Sequence, residues 1–322
     1  MKQLANWQLL HKSLLKNIPC MLLYVLESTG SSPGRQGFFM TLNAEGEMSG
    51  SLGGGIMEHK LVERAFASMR NSENLYTLIP QYHKKTTGVH QSGMICSGEQ
   101  WIWLQTISTS DATWIENLIS DLQQHQAGTL QIRPDGCSYN RNKPADAFYF
   151  QMNNTDDFEY REKTGHHQVL HIVGGGHCAL ALSKCMRDLD FYIHVYETRS
   201  GLNTILKNRY AHSIIHVNTY HEMAQYILPG DNVYVVIMTF GYRTDDEALK
   251  AIIHQSYKYL GVLGSKNKMK TLFEQYRAQN IPETHLEKVY TPIGIPIHSK
   301  TPEEIAISIA AEIIQVKNGS RE

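Results

Sequence analysis

The stretch His166-His167-Gln168-Val169-Leu170-His171-Ile172-Val173-Gly174-Gly175-Gly176-His177-Cys178-Ala179 decides the fold. A short apolar run, Val169 to Val173, ends in Gly-x-Gly-x-x-Ala and passes into a helical pattern through Leu180, Leu182, Met186 and Leu189. A second apolar run, Phe191 to Tyr196, closes on Glu197. Strand, glycine turn, helix, strand and an acid about 20 residues past the glycines is the spacing of a dinucleotide-binding unit. In that reading Gly174 makes the tight turn and Gly176 lets a phosphate approach the backbone. Ala179 lets helix and strand pack closely. The helix N-terminus, opening at His177, offers free N–H groups and a positive dipole end to an anion. Glu197 is placed to accept from ribose hydroxyls, which favours an unphosphorylated ribose and points to NAD.

The α/β rhythm continues to the C-terminus. Ser213 to Val217 reads as a strand, and Asn232 to Thr239 (NVYVVIMT) as a strand buried on both faces. Asp245 or Asp246 is expected to cap a helix from Glu247 to Gln255. Tyr259 to Leu263 is the next strand, and Gly264-Ser265-Lys266 turns into a helix. Thr301-Pro302-Glu303-Glu304 is a capping box with Pro at the first helical position, opening a helix from Ile305 to Val316. Strands alternating with helices predict a doubly wound, Rossmann-like parallel sheet.

The N-terminal half reads as a mixed α/β domain. An amphipathic helix comes first, with Leu4, Trp7, Leu10 and Leu14 at helical spacing. Met21 to Glu27 is a strand. Phe38 to Leu42 pairs with residues near Met48 through an Asn43–Gly46 turn, and Trp101 to Thr106 is another strand. A helix is expected around Trp114 to Gln123, and apolar stretches lie near Phe148 and Phe158. Polar residues at 161–165 mark the boundary, giving domains at 1–162 and 163–322.

The chain has 322 residues, 42% hydrophobic and 19% charged, with a net charge of −1. This is a globular composition with room for two domains. Near-neutral charge gives no electrostatic case for nucleic acid or an anionic membrane. No apolar run approaches the length of a membrane span, and the N-terminal pattern lacks a signal peptide's apolar core, so a cytoplasmic protein is expected. Five scattered cysteines without a C-x-x-C argue against a disulfide framework or structural zinc. Cys178 and Cys185 lie seven apart on one helix face and read as core-facing. His212 and His216 flank Ile214-Ile215 and read as strand-face residues rather than metal ligands; no metal site is expected.

Further chemistry is suggested by two N-terminal glycine clusters. Gly53-Gly54-Gly55 leads into a helix, so its N–H groups could cradle an oxyanion. The alternative is a turn whose backbone passes close to another segment. Arg35, in the Ser31–Gly37 loop, is a natural phosphate partner, and Glu58 is a first-turn carboxylate favoured by the helix dipole. Cys96, in Met94-Ile95-Cys96-Ser97-Gly98, reads either as a sulfur-handling thiol or as a buried, inert one. No catalytic residue follows from spacing alone.

Taken in order, GSSPGRQGFFM, GSLGGGIME, MICSGE, the glycine-turn unit, VVIMTFGYRTDDEAL, YLGVLGSKNKM and PIGIPIHSKTPEEIAISIAAEI resemble the XdhC/CoxI family of xanthine dehydrogenase accessory proteins. The resemblance covers nearly the whole chain. It implies a chaperone of molybdenum cofactor (molybdopterin) that supports sulfuration with a cysteine desulfurase and delivers the cofactor to apo-xanthine dehydrogenase or a related molybdoenzyme. A homodimer is the expected assembly. The residues expected around the cofactor, from their anion-suited turns, helix N-termini and charges, are Arg35, Gly53, Gly54, Gly55, Gly174, Gly176, His177, Glu197, Gly264, Ser265 and Lys266, and the resemblance makes Cys96 the candidate for sulfur chemistry. The sequence departs from the family at four places. Phe240-Gly241-Tyr242 stands for a frequent His-x-His, and His298 for a usual Gly. Cys96-Ser97-Gly98 stands for Cys-Gly-Gly, and Ile56 for a Cys present in some members. The competing reading is an NAD-dependent oxidoreductase or other nucleotide-binding enzyme; the sequence identifies no proton donor for hydride chemistry.

Overall fold

A computed structural model describes residues 2–82, 98–141 and 147–319. The chain divides into two compact units, Met1–Gly165 and His166–Glu322. The division falls three residues beyond the expected boundary.

Unit 1 begins with α1 (Lys2–Leu15) and β1 (Cys20–Thr29), followed by β2 (Phe39–Asn43), β3 (Met48–Gly50), α2 (Gly55–Arg70), β4 (Tyr76–Tyr82) and β5 (Glu99–Ile107). These five strands form an antiparallel sheet in the order β3-β2-β1-β5-β4. β1 is central and wholly apolar from Cys20 to Leu26, all buried. Burying each such aliphatic side chain contributes about 1.5–3 kcal/mol, so this strand anchors the unit. One face packs on α2 through Met57, Leu61, Ala65 and Met69. The other packs on α1 and α3 (Ala112–Gln123) through Trp7, Leu10, Ile115 and Leu118.

A second antiparallel sheet follows, of β6 (Thr129–Arg133), β7 (Gly136–Asn140), β8 (Phe148–Asn154) and β9 (Asp157–Lys163), ordered β7-β6-β9-β8. The apolar stretches near Phe148 and Phe158 are thus two paired strands. Between the sheets Glu162 is buried, accepting from the hydroxyls of Tyr160 (2.7 Å) and Tyr24. Burial pushes its carboxyl up to about 7 despite those two donors.

Unit 2 carries the alternation the sequence predicts. Its elements are β10 (Val169–Val173), α4 (His177–Asp188), β11 (Tyr192–Glu197), α5 (Asn203–Leu206), β12 (Ser213–His216), β13 (Gly230–Ile237), α6 (Tyr242–Ile252), β14 (Tyr257–Val262), α7 (Lys266–Ala278), α8 (Glu283–Leu286), β15 (Val289–Tyr290) and α9 (Pro302–Asn318). The six strands are parallel, in the order β12-β11-β10-β13-β14-β15. Helices α4 and α9 cover one face over Leu182, Met186, Ile309 and Ile313. The other face carries α6, α7 and a 3-10 turn at Tyr220–Gln225.

One local expectation changes. Helix α6 starts at Tyr242, not Glu247, because Gly241 is its N-cap and Asp245 lies inside its first turn. Cys178 and Cys185 face the core as read, each partly buried against it. The capping box at Thr301 holds as read: its hydroxyl accepts from Glu304 N, and Glu304 accepts from Thr301 N. His298 holds φ 59°, the left-handed region that glycine adopts without cost.

Candidate functional site

In unit 2 the site is built on the turn after β10. Gly174 holds φ 105°, and a Cβ there would lie 2.5 Å from the Met238 carbonyl oxygen, so the tight turn requires glycine. Gly175 is closed off by the Ile205 side chain, 2.3 Å from where its Cβ would sit. Gly176 faces open space, with nothing within 4 Å. It is also the N-cap of α4, and no side chain caps that helix, so its first-turn N–H groups point outward. His177 is the exposed first residue of α4. It borders a cleft of about 500 Å3 between α4 and α9 that also meets Lys184, Cys185, Lys207 and Tyr210.

Glu197 does not present a free carboxylate. It is fully buried. Oε1 accepts from the backbone N–H of Thr198 (2.9 Å) and of Arg199 (2.9 Å), from Arg199 Nε (3.0 Å) and from the Tyr220 hydroxyl (3.2 Å). Oε2 accepts from Gly175 N and from Arg199 Nη2, each at 2.8 Å. Burial alone would raise its pKa, but these donors overcome it and hold the group at about 2. Where the sequence reading has Glu197 accepting from ribose hydroxyls, both its oxygens accept here from this chain's own donors. Its lone pairs are used to tie the glycine turn to the end of β11, and a ribose diol would have to displace Arg199 to reach them. The guanidinium of Arg199, 38% exposed, sits beside the turn and lies 4.6 Å from the centroid of the exposed Phe240 ring.

The strand ends beyond add two more helix N-termini. Gly241 opens α6 without a side-chain cap bond. Asp245 is buried; it accepts from Thr239 N (3.0 Å) and pairs with Lys268. Ser265 caps α7, accepting from Lys268 N at 3.3 Å. Gly264 leaves little room, with Lys268 Cδ and Met269 Sδ 3.2 Å from its Cβ position, and Lys266 is exposed at the first turn. The sequence reading missed two ion pairs, Arg199 with Glu197 and Lys268 with Asp245. The signal available was an Arg two residues after the strand-end acid, and an Asp in a helix's first turn.

A second centre lies in unit 1. The Gly53–Gly55 turn passes backbone to backbone against the Ser31–Gly37 loop: a Cβ on Gly53 would come within 2.3 Å of Gly34 N, and one on Gly34 within 2.0 Å of Leu52 O. This is the close approach named as the alternative reading. Gly98 abuts the same loop, its Cβ position 2.6 Å from Thr29 O. Three sequence motifs thus meet at one end of the first sheet. Cys96, two residues before Gly98, lies outside the described residues. Gly54 faces open space. Arg35 is exposed, with Nη1 donating to Gly30 O at 3.0 Å. Glu58 turns back over the glycines, accepting from Ser51 Oγ (2.7 Å), Leu52 N (2.7 Å) and Gly54 N (3.0 Å). Ile56 is exposed beside it.

Among the described cysteines none is activated. Burial raises the thiol pKa of Cys20 to about 12 and that of Cys137 well above its usual value, and raises those of Cys178 and Cys185 as well. His212 accepts from Ile193 N at 3.0 Å and stacks on Tyr192 at 4.5 Å. His171 stacks on His194 and bonds the Tyr196 hydroxyl through Nδ1.

A parallel sheet with a glycine turn at its central strand and helix N-termini at its carboxyl edge defines a Rossmann-type domain. Residues 170–313 match the XdhC Rossmann domain, and residues 14–78 match the XdhC and CoxI family. The chain belongs to the XdhC/CoxI family. It is 24% identical over 308 residues to the uncharacterized protein YqeB of Escherichia coli K12, covering 95% of this chain but 45% of that protein. The chain thus spans about half the length of this relative. It is 22% identical to a probable xanthine dehydrogenase subunit of Bacillus subtilis 168, over 92% of this chain and 93% of that one. The crystal structure of a xanthine dehydrogenase from Bacillus halodurans has the same fold, with a TM-score of 0.73 at 20% identity, over 98% of this chain and 97% of that one. No helix among the described residues is long and apolar enough to cross a membrane.

Proposed function

We propose that this protein binds molybdenum cofactor and assists its sulfuration and insertion into xanthine dehydrogenase or a related molybdenum hydroxylase. The observation that carries the reading is family membership in both units, together with near full-length similarity to a probable xanthine dehydrogenase subunit. The residues present fit the group. Molybdopterin carries a phosphate, and Gly54 and Gly176 both face open space at helix N-termini. The uncapped first turn of α4 would hold that phosphate. When bound, the cofactor supplies the metal centre that the target enzyme uses. This chain's part is to hold the cofactor and, through the Cys96 segment, to keep its sulfur site accessible to a cysteine desulfurase. A delivery role asks for no proton donor. This agrees with the acids nearest the glycine turn and the α6 N-terminus, Glu197 and Asp245, being held by cations.

Native mass spectrometry of the protein co-expressed with the cofactor pathway is expected to show a molybdopterin-sized adduct. Protein that carries none would overturn the reading. Cys96→Ala is expected to keep the melting temperature while lowering reactivation of apo-xanthine dehydrogenase at least 10-fold. Full reactivation by the variant removes Cys96 from the sulfur step.

A further inference from the structure

We propose that Arg199 makes the glycine turn of unit 2 a reader of phosphate: it takes a dinucleotide bearing a 2′-phosphate on its ribose in preference to one with a free ribose diol. The proposal rests on reading unit 2 as a nucleotide-binding Rossmann domain, and makes no use of molybdenum cofactor.

In such domains an acid at the end of the second strand selects the ribose diol by accepting from it, and a nearby arginine instead accommodates a 2′-phosphate. Glu197 occupies the acid's place in sequence but not its role. Its buried oxygens take hydrogen bonds from two backbone N–H groups of its own strand end, from Gly175 N, from Tyr220 and from two nitrogens of Arg199. A diol would compete against all of these and gain nothing in exchange. The cationic side chain at that edge is Arg199, 38% exposed. Nε and Nη2 face Glu197, which fixes the plane of the fork, and the Phe240 ring supports it from one side. Because Arg199 Nη2 and Gly175 N donate to the same oxygen, the guanidinium lies next to the turn that faces the pyrophosphate in this fold. Gly176 leaves space there, and the uncapped α4 N-terminus adds its dipole. A phosphate dianion is held by a guanidinium through charge-assisted hydrogen bonds, which are the strong ones. A neutral diol gains no such bond.

The test is calorimetric titration of the full chain with NADPH and with NADH at low salt. NADPH is expected to bind at least 10-fold more tightly. Arg199→Gln should weaken NADPH at least 10-fold and, by freeing the Glu197 oxygens that Arg199 occupies, should not weaken NADH, so that the difference is erased or reversed. Arg199→Lys, which keeps the charge without the fork, should fall between. Equal affinity, tighter NADH, or no heat with either nucleotide overturns the proposal. Because the wild-type ratio decides by itself, a variant that fails to fold does not protect it. Failure here leaves cofactor delivery untouched, and a negative adduct measurement leaves this titration untouched.

Discussion

The turns at Gly53–Gly55 and Gly174–Gly176 both lead into a helix, and each gives a backbone N–H to a carboxylate of this chain. The carboxylates differ. Glu58 comes from the same helix, four residues past Gly54, is partly exposed and bonds only the backbone and Ser51. Glu197 comes from the neighbouring strand, is fully buried and is matched by a guanidinium and a tyrosine. The first is a local cap that a competing anion can displace at small cost. The second is a brace between β10 and β11, whose removal strands a cation and an N–H. One motif, a glycine turn before a helix, therefore has two physical meanings, set by where its carboxylate comes from.

The largest effect should follow from breaking the brace. Glu197→Ala leaves Arg199, 38% exposed, without its partner, and leaves the Tyr220 hydroxyl and the Gly175 N–H without their acceptor, each unsatisfied buried donor costing about 1–3 kcal/mol. Far-UV circular dichroism should show unit 2 melting first, well below wild type. A variant with wild-type melting would show that the brace is dispensable.

Acid should separate the units next. Glu197 is held at about 2 against an ordinary 4.5, so its contribution is complete above pH 4.5 and is lost as pH falls toward 2. His171 is kept neutral by burial and by its neighbour His194, with its pKa lowered to about 3 from 6.5. Its contribution is complete above pH 6.5 and is lost as pH falls from there. Glu162 in unit 1 has the opposite sign: raised to about 7, it favours the folded state below pH 4.5 and that advantage is lost as pH rises to 7. Between pH 6.5 and 4.5, acidification should weaken unit 2 while strengthening unit 1. All four tryptophans, Trp7, Trp101, Trp103 and Trp114, lie in unit 1. Denaturant titrations read by tryptophan fluorescence should therefore move to higher midpoints, while a second transition in circular dichroism moves lower. Midpoints that shift together would break the contrast.

The smallest effect belongs to the local cap. Glu58→Gln removes a first-turn charge worth about 0.3–1 kcal/mol and should shift the fluorescence-detected midpoint only slightly. A loss as large as that of Glu197→Ala would mean the two turns are alike after all.

The sequence exposes whatever is local. The β10–α4–β11 unit is legible because its glycines, apolar run and strand-end acid lie within 30 residues, and the Thr301 capping box within four. The second antiparallel sheet of unit 1 is not, since β8 is mostly part-exposed and its partner is identified only by long-range pairing. The same holds for the site. Gly174 and Gly176 declare themselves, but whether Glu197 faces a ligand or an arginine depends on side chains that converge only in the fold. Gly34 and Gly53 meet across 19 residues, which no spacing rule joins.

The order of the parallel sheet carries one more consequence. β10 is its inner strand, and the connections from β10 and from β13 leave on opposite faces. The segment Phe240–Tyr242 closes β13 at that parting, and Phe240 is 59% exposed. Among the described residues that ring's aromatic contact is the Arg199 guanidinium, and it is not part of the buried core. Sequence drift can therefore rewrite the rim of the crevice one loop at a time, while the buried strands beneath stay under a separate constraint. A family that shares one scaffold can so come to differ first in what its rim holds, and Phe240-Gly241-Tyr242 falls on such a rim.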